Sequence, residues 1–196
     1  MMSKIIFNSI YKGLPINSNS KLGCRTDILD KLKQLLDFYT TKHNKVIFIR
    51  FDLHFPAGYH FQNSGEYFSE FMAWYIKILK RQGFDPYYFW VREQNKSINP
   101  HYHCILLLNG NLVQKYYYYV KIAEDCWMRT LGFHDAEGLV DYCCQGKNGI
   151  MIRRDDTFQQ FYNLCYYWGS YLAKTNQKGN APKGAHEWGS SKFQSL

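Results

Sequence analysis

The chain has 196 residues, enough for one domain with a proper core, and its 46% hydrophobic and 20% charged residues exclude global disorder and fibrous repeats. The longest apolar run, residues 104–108, is far short of a membrane span, and the N-terminus lacks the apolar stretch and cleavage site of a signal peptide. Net charge is +8 and unevenly placed: nine Lys/Arg against three Asp/Glu in residues 1–50, eight against ten in 51–144, and seven against three in 145–196.

Basic flanks around a near-neutral middle suit a polyanionic partner, since each phosphate neutralised releases counterions. A basic surface also serves solubility alone. The six cysteines show no CxxC spacing. Without a secretion signal they read as reduced thiols of a cytosolic protein. Aromatic residues reach 18%, with 17 Tyr. Exposed and interleaved with positive charge, such rings would stack on unpaired bases.

Residues 1–20 are polar and read as an N-terminal arm. Ile28, Leu29, Leu32, Leu35, Leu36 and Tyr39 recur at helical spacing over 26–39, with Thr26 as N-cap. Residues 45–55 alternate as a strand: Ile47, Ile49, Phe51, Leu53 and Phe55 share one face, and Phe48, Arg50, Asp52 and His54 the other. A helix over 64–82 follows, capped by Ser64, with Phe68, Phe71, Met72, Tyr75, Ile76 and Leu79 on its apolar stripe. Residues 87–94 and 101–108 read as an antiparallel hairpin around a polar turn at 95–100. A helix over 112–131 comes next, then extended pieces at 139–144 and 150–153 hinged at 146–149. A last helix opens at Asp156 or Thr157 and runs to about Asn176. Residues 21–176 thus form one domain, followed by a basic flexible tail, 177–196. The element order predicts an α+β fold: a mainly antiparallel central sheet with helices packed on it, nearest to the ferredoxin-like split βαβ arrangement.

His101 and His103 stand two apart on a predicted strand, so both imidazoles lie on one face, close enough to chelate one ion. Glu93 lies on the preceding strand across a returning turn. Two imidazoles and a carboxylate make a mixed N/O site that suits Mg²⁺ or Mn²⁺ and also accepts Zn²⁺. Gln94, on the opposite strand face, is the alternative ligand. On the last helix, Phe158, Phe161, Leu164, Cys165, Trp168 and Leu172 form an apolar arc. Tyr167, Tyr171 and Lys174 share one flank of it; Tyr162 and Tyr166 fall on the other. Two phenols one turn apart beside an ammonium suit a two-nucleophile site, although aromatics also edge helix–sheet interfaces. Asp52 and His54 are candidates to steady the ligands, with ordinary solvation of a sheet face as the plainer account. Tyr116 to Tyr119 lie on a helix and point all round, so at most two could stack on bases.

These elements resemble the HUH endonucleases, which nick single-stranded DNA to start rolling-circle replication or transfer. The resemblance covers roughly residues 45–176. His101-Tyr102-His103 followed by residues 104–108 is similar to the metal-binding strand, with Tyr102 replacing the usual hydrophobe, and Glu93 sits where replication initiators often place an acidic ligand. Tyr167, Tyr171 and Lys174 match the two-tyrosine pattern of phage initiators; residues 99–103 and 170–174 resemble initiators of filamentous phages, prophages and their satellites.

The resemblance implies a ferredoxin-like HUH fold with His101, His103 and Glu93 holding Mn²⁺ or Mg²⁺. It implies Tyr171 attacking DNA to leave a 5′-phosphotyrosine, Tyr167 making a second cut and Lys174 offsetting charge. Arg153, Arg154 and the tail lysines are candidate phosphate contacts. The expected partners are single-stranded DNA or an origin hairpin and a host or phage helicase and polymerase, with no membrane, in the cytoplasm of a bacterial host. Two other readings remain: the same fold binding DNA without cutting, and a transposase or relaxase cutting a different DNA.

Overall fold

Every second side chain of a strand points the same way, and β5 (Lys45–Leu53) buries both of its faces by this rule. Ile47, Ile49, Phe51 and Leu53 pack toward α2 (Ser64–Arg81) and α3 (Tyr117–Leu131), while Val46 and Phe48 pack toward α1 (Thr26–Lys42) and α4 (Phe158–Ser170). The computed structural model describes residues 4–62, 64–94, 97–113, 115–134, 138–143, 148–175, 181–182 and 184–194. Cys144, residues 146–147 of the hinge predicted at 146–149, the predicted helix end at Asn176 and tail residues 177–180, 183 and 195–196 lie outside them.

The central sheet runs β10 (Trp188–Ser190), β6 (Tyr87–Glu93), β7 (His101–Asn109), β5, β8 (Val140–Asp141), with β9 (Ile150–Arg153) also paired to β5. Each pairing is antiparallel. β8 and β9 lie end to end along one edge of β5, opposite residues 52–53 and 45–48 respectively. β7 separates β5 from β6, and α2 and α3 cover the same face, which is the split βαβ order expected from the sequence. Where the edge strand is broken, buried Asn148 takes its place: its Oδ1 accepts from Arg50 N and its Nδ2 donates to Arg50 O.

Several boundaries differ from those predicted. Thr26 does not cap α1 through its side chain; its Oγ1 accepts from Lys4 N, tying β1 (Ile5–Ile6) to β4 (Cys24–Arg25). α3 begins at Tyr117, later than expected; before it, Asn109 Oδ1 accepts from Asn111 N in a turn at the end of β7. α4 ends at Ser170 and tightens into a 3₁₀ turn, Tyr171–Ala173, before Lys174 bridges back to Cys24.

The buried face of α4 is also rotated from the predicted arc. Tyr162, Cys165, Tyr166 and Gly169 are buried, whereas Leu164 is exposed. Gly169 sets this contact: a Cβ there would come within 2.8 Å of Leu32 Cδ2 and 3.2 Å of Ile105 Cδ1. Tyr162 and Tyr166 are therefore core residues, donating to Asp37 Oδ1 and Leu29 O.

Parts of both ends read as arm and tail are ordered into this framework. β2 (Ile10–Tyr11) pairs with β3 (Leu14–Pro15), and Leu14 and Ile16 are buried in the α1–α4 core. Trp188 stacks on Phe89, and β10 covers the otherwise open edge of β6. Among the described residues, no helix is long and apolar enough to cross a membrane, and Cys24, Cys104, Cys126, Cys143 and Cys165 are free thiols.

Candidate metal centre

Register brings the predicted ligands together. In the β6–β7 ladder Glu93 stands opposite His101 and Val91 opposite His103, so all three side chains fall on the α1–α4 face at one end of the sheet. Tyr102, between the histidines, points the other way and stacks flat on Phe68 at 3.8 Å. A residue that must fill the α2 side of the core can be aromatic as readily as aliphatic, which accounts for tyrosine here.

Glu93 Oε2 lies 3.1 Å from His103 Nε2 and 3.5 Å from His101 Nε2. The cluster offers one donor atom from each residue, all within 4.8 Å of one another. Donors bonded at about 2.1 Å to one ion are separated by roughly 3.0–3.4 Å. The donor set therefore fits a divalent cation, with coordination positions left for solvent or phosphate oxygen.

Asp52 completes the arrangement from behind. It pairs with His103 in the β5–β7 ladder, and its Oδ2 lies 2.7 Å from His103 Nδ1. That contact leaves Nε2 for a metal, the usual role of a carboxylate behind a ligating histidine. Ordinary solvation does not account for Asp52, which is buried. Burial alone would raise its pKa, but His103 and Arg50 outweigh that and hold it below the ordinary value. For His103, burial opposes the charged form, yet Asp52 and Glu93 prevail and raise its pKa. His54 stacks on His101 at 5.6 Å; burial and the neighbouring imidazole lower its pKa. Gln94 is no ligand here: its Nε2 donates to Ser97 O and Ile98 O, holding the turn between β6 and β7.

The terminal turn delivers one tyrosine to this cluster. The Tyr171 ring meets His103 edge-on at 5.4 Å, with the Arg50 guanidinium 4.3 Å from its centroid and Lys174 Nζ 5.0 Å away. Burial and then Glu93 raise the Tyr171 pKa, while Arg50 opposes them. Tyr167 is not in this group. It is 36% exposed, and its described ring contact is Trp168 at 6.0 Å. Tyr167 stands within α4 and Tyr171 opens the 3₁₀ turn that follows it.

Arg153 and Arg154 lie at the far end of the sheet, beside residues 44–45. Arg154 donates to Thr40 O and Thr41 O at the end of α1, so a structural role accounts for it. The cation that does reach the cluster is Arg50, which the sequence reading placed on the right face without assigning it a role. Its signal was the run Arg50, Asp52, His54 on one side of a strand otherwise built from apolar residues. Of the four consecutive tyrosines, Tyr117 and Tyr118 are exposed and Tyr119 is buried.

Fold and cluster together define a split βαβ protein with a candidate His-His-Glu metal centre. The family model described as the YagK/YfjJ C-terminal domain matches residues 8–191, and the chain belongs to this family. No curated protein and no solved structure matches it significantly.

Proposed function

We propose that this chain nicks and rejoins single-stranded DNA through a covalent tyrosyl link, starting rolling-circle replication of a phage or other mobile element. The observation that carries the reading is the Tyr171 ring packed against His103 and flanked by two cations, Arg50 and Lys174. A protein that only bound DNA would need neither a buried chelating cluster nor a phenol aimed beside it. The prophage association of the family and the net charge of +8 agree with a nucleic-acid substrate from a mobile element.

His101, His103 and Glu93 would hold Mn²⁺ or Mg²⁺, which when bound supplies charge neutralisation at a phosphate oxygen. Asp52 fixes the His103 ring, so the ligand needs no reorientation during the reaction. Arg50 opposes the rise that burial and Glu93 impose on the Tyr171 phenol, and Arg50 and Lys174 place positive charge beside its ring, where a phosphate would be drawn. The phenol loses its proton, its oxygen bonds to phosphorus, and the 3′ oxygen of the preceding nucleotide leaves. The product is a 5′-phosphotyrosine and a free 3′-hydroxyl for a polymerase. The link keeps the bond energy, so rejoining needs no nucleotide triphosphate. Tyr167, one turn earlier and open to solvent, is the candidate for a second cut.

The test is a denaturing gel of protein mixed with labelled single-stranded DNA from the parent element and Mn²⁺. An adduct resistant to denaturant, abolished in Tyr171→Phe and retained for the first cut in Tyr167→Phe, is the expected result. Retarded DNA under native conditions with no adduct under any metal would instead establish a non-cutting binder.

A further inference from the structure

Beside the cluster, on the far side of His101, lies a cavity of about 330 Å³ between residues 54–59 and 97–101. Its walls include the stacked rings of His54 and His101, inclined 19° to each other, together with Tyr59 and Ile98. No Lys, Arg, Asp or Glu lines it among the described residues. Tyr59 and Ile98 are 56% and 66% exposed, an unusual outlay of apolar surface at the mouth of a cleft.

The cleft is held open by design of the two loops. Asn99 is buried and bridges them: its Oδ1 accepts from Phe61 N and its Nδ2 donates to Tyr59 O. The Tyr59 ring is braced edge-on by Phe133 at 5.2 Å. These contacts preorganise the walls, so an occupant need not order them on arrival.

We infer that this cavity receives one unpaired base of the bound strand, the base next to the phosphate held at the metal centre. This rests on the nickase reading for the identity of the occupant. The division of charge supports it. The Tyr171 side of the cluster carries Arg50 and Lys174 and suits the phosphodiester; the His54 side has no Lys, Arg, Asp or Glu among the described residues and offers a pair of flat imidazoles and a phenol ring. A base is planar, uncharged and polar at its edges, and stacks on such rings whatever its sequence identity. A phosphate or an acidic peptide would find no lysine or arginine there among the described residues.

The test uses the full chain carrying Tyr171→Phe, so that binding is read without turnover. Two probes are compared: a pool of single-stranded oligonucleotides of randomised sequence, and an abasic backbone of equal length. The base-bearing pool is expected to bind about tenfold more tightly. Ala57→Trp, which fills the cavity from an exposed turn, should bring its affinity down to the abasic level. Ile98→Asp, at an exposed position, should weaken it in the same direction without risk to the core. A strand carrying 4-thiothymidine should crosslink to Tyr59 or His54. Equal affinity for the two probes, or an undiminished preference in both variants, overturns the inference. A parallel adduct assay on the Tyr171 protein separates the two claims. Base preference lost in Ala57→Trp with no adduct sinks the nickase and leaves the base site; an adduct with no base preference does the reverse.

Discussion

His103 is approached on both ring nitrogens, by Asp52 at Nδ1 and Glu93 at Nε2, and two expectations follow. Asp52→Asn keeps the shape but offers a weaker acceptor to Nδ1. It is expected to lower metal affinity by about 10- to 100-fold with the fold intact, measured by isothermal titration with Mn²⁺. Protons also compete for Nε2. The His103 pKa lies above its ordinary value of 6.5, so this imidazole keeps its proton to higher pH than a free one. Metal uptake should therefore begin to weaken, as pH falls, above the ordinary imidazole range. Titrations at a series of pH values check this; uptake that stays flat down to that range would contradict it. The three ligands were legible in the sequence because period two and a hairpin register depend only on local order. Asp52 was visible as a candidate, but its importance was not, because a polar strand face looks the same whether water or a helix covers it.

At the scale of elements, the broken edge of the sheet matters most. β8 and β9 together make one strand with a gap opposite Arg50, and Asn148 fills the gap with a side-chain amide. This fixes the backbone from which Arg50 reaches Tyr171. Asn148→Ala leaves a buried N–H and C=O of Arg50 without these partners and is expected to cost about 1–3 kcal/mol, read as a lower urea midpoint with unchanged slope. The main helices and strands were read from periodicity to within a few residues, save the start of α3 and the end of α4, and the short strands of the two ends were not read. The rotation of α4 was not legible. Its face is chosen by the close approach of Gly169 to Leu32 and Ile105, a long-range contact that outweighs the nominal hydrophobicity of Leu164. The same limit hid the 3₁₀ turn that carries Tyr171.

For the whole molecule, the last strand has a protective role. β10 seals the edge of β6, and Gly189 allows it: a Cβ there would come within 2.8 Å of the Trp90 indole, a rigid neighbour. Gly189→Val should dislodge β10 and expose the β6 edge, giving self-association that grows with concentration in sedimentation velocity. Loss of β10 without association would mean another element takes its place. The polar composition of the C-terminal stretch concealed this strand, since three residues are too few to show a period.

The turn that carries Tyr171 is fastened from outside its own helix. Asn17 N donates to Ser170 Oγ, Thr175 N donates to Gly23 O, and Cys24 bridges Lys174. The leading segment thus works as a hasp over the Tyr171 turn, although it contributes none of the candidate ligands. Clipping the chain near residue 20 with a protease would undo the Asn17 tie alone, leaving Gly23 and Cys24 to hold the far end of the turn and sparing His101, His103 and Glu93.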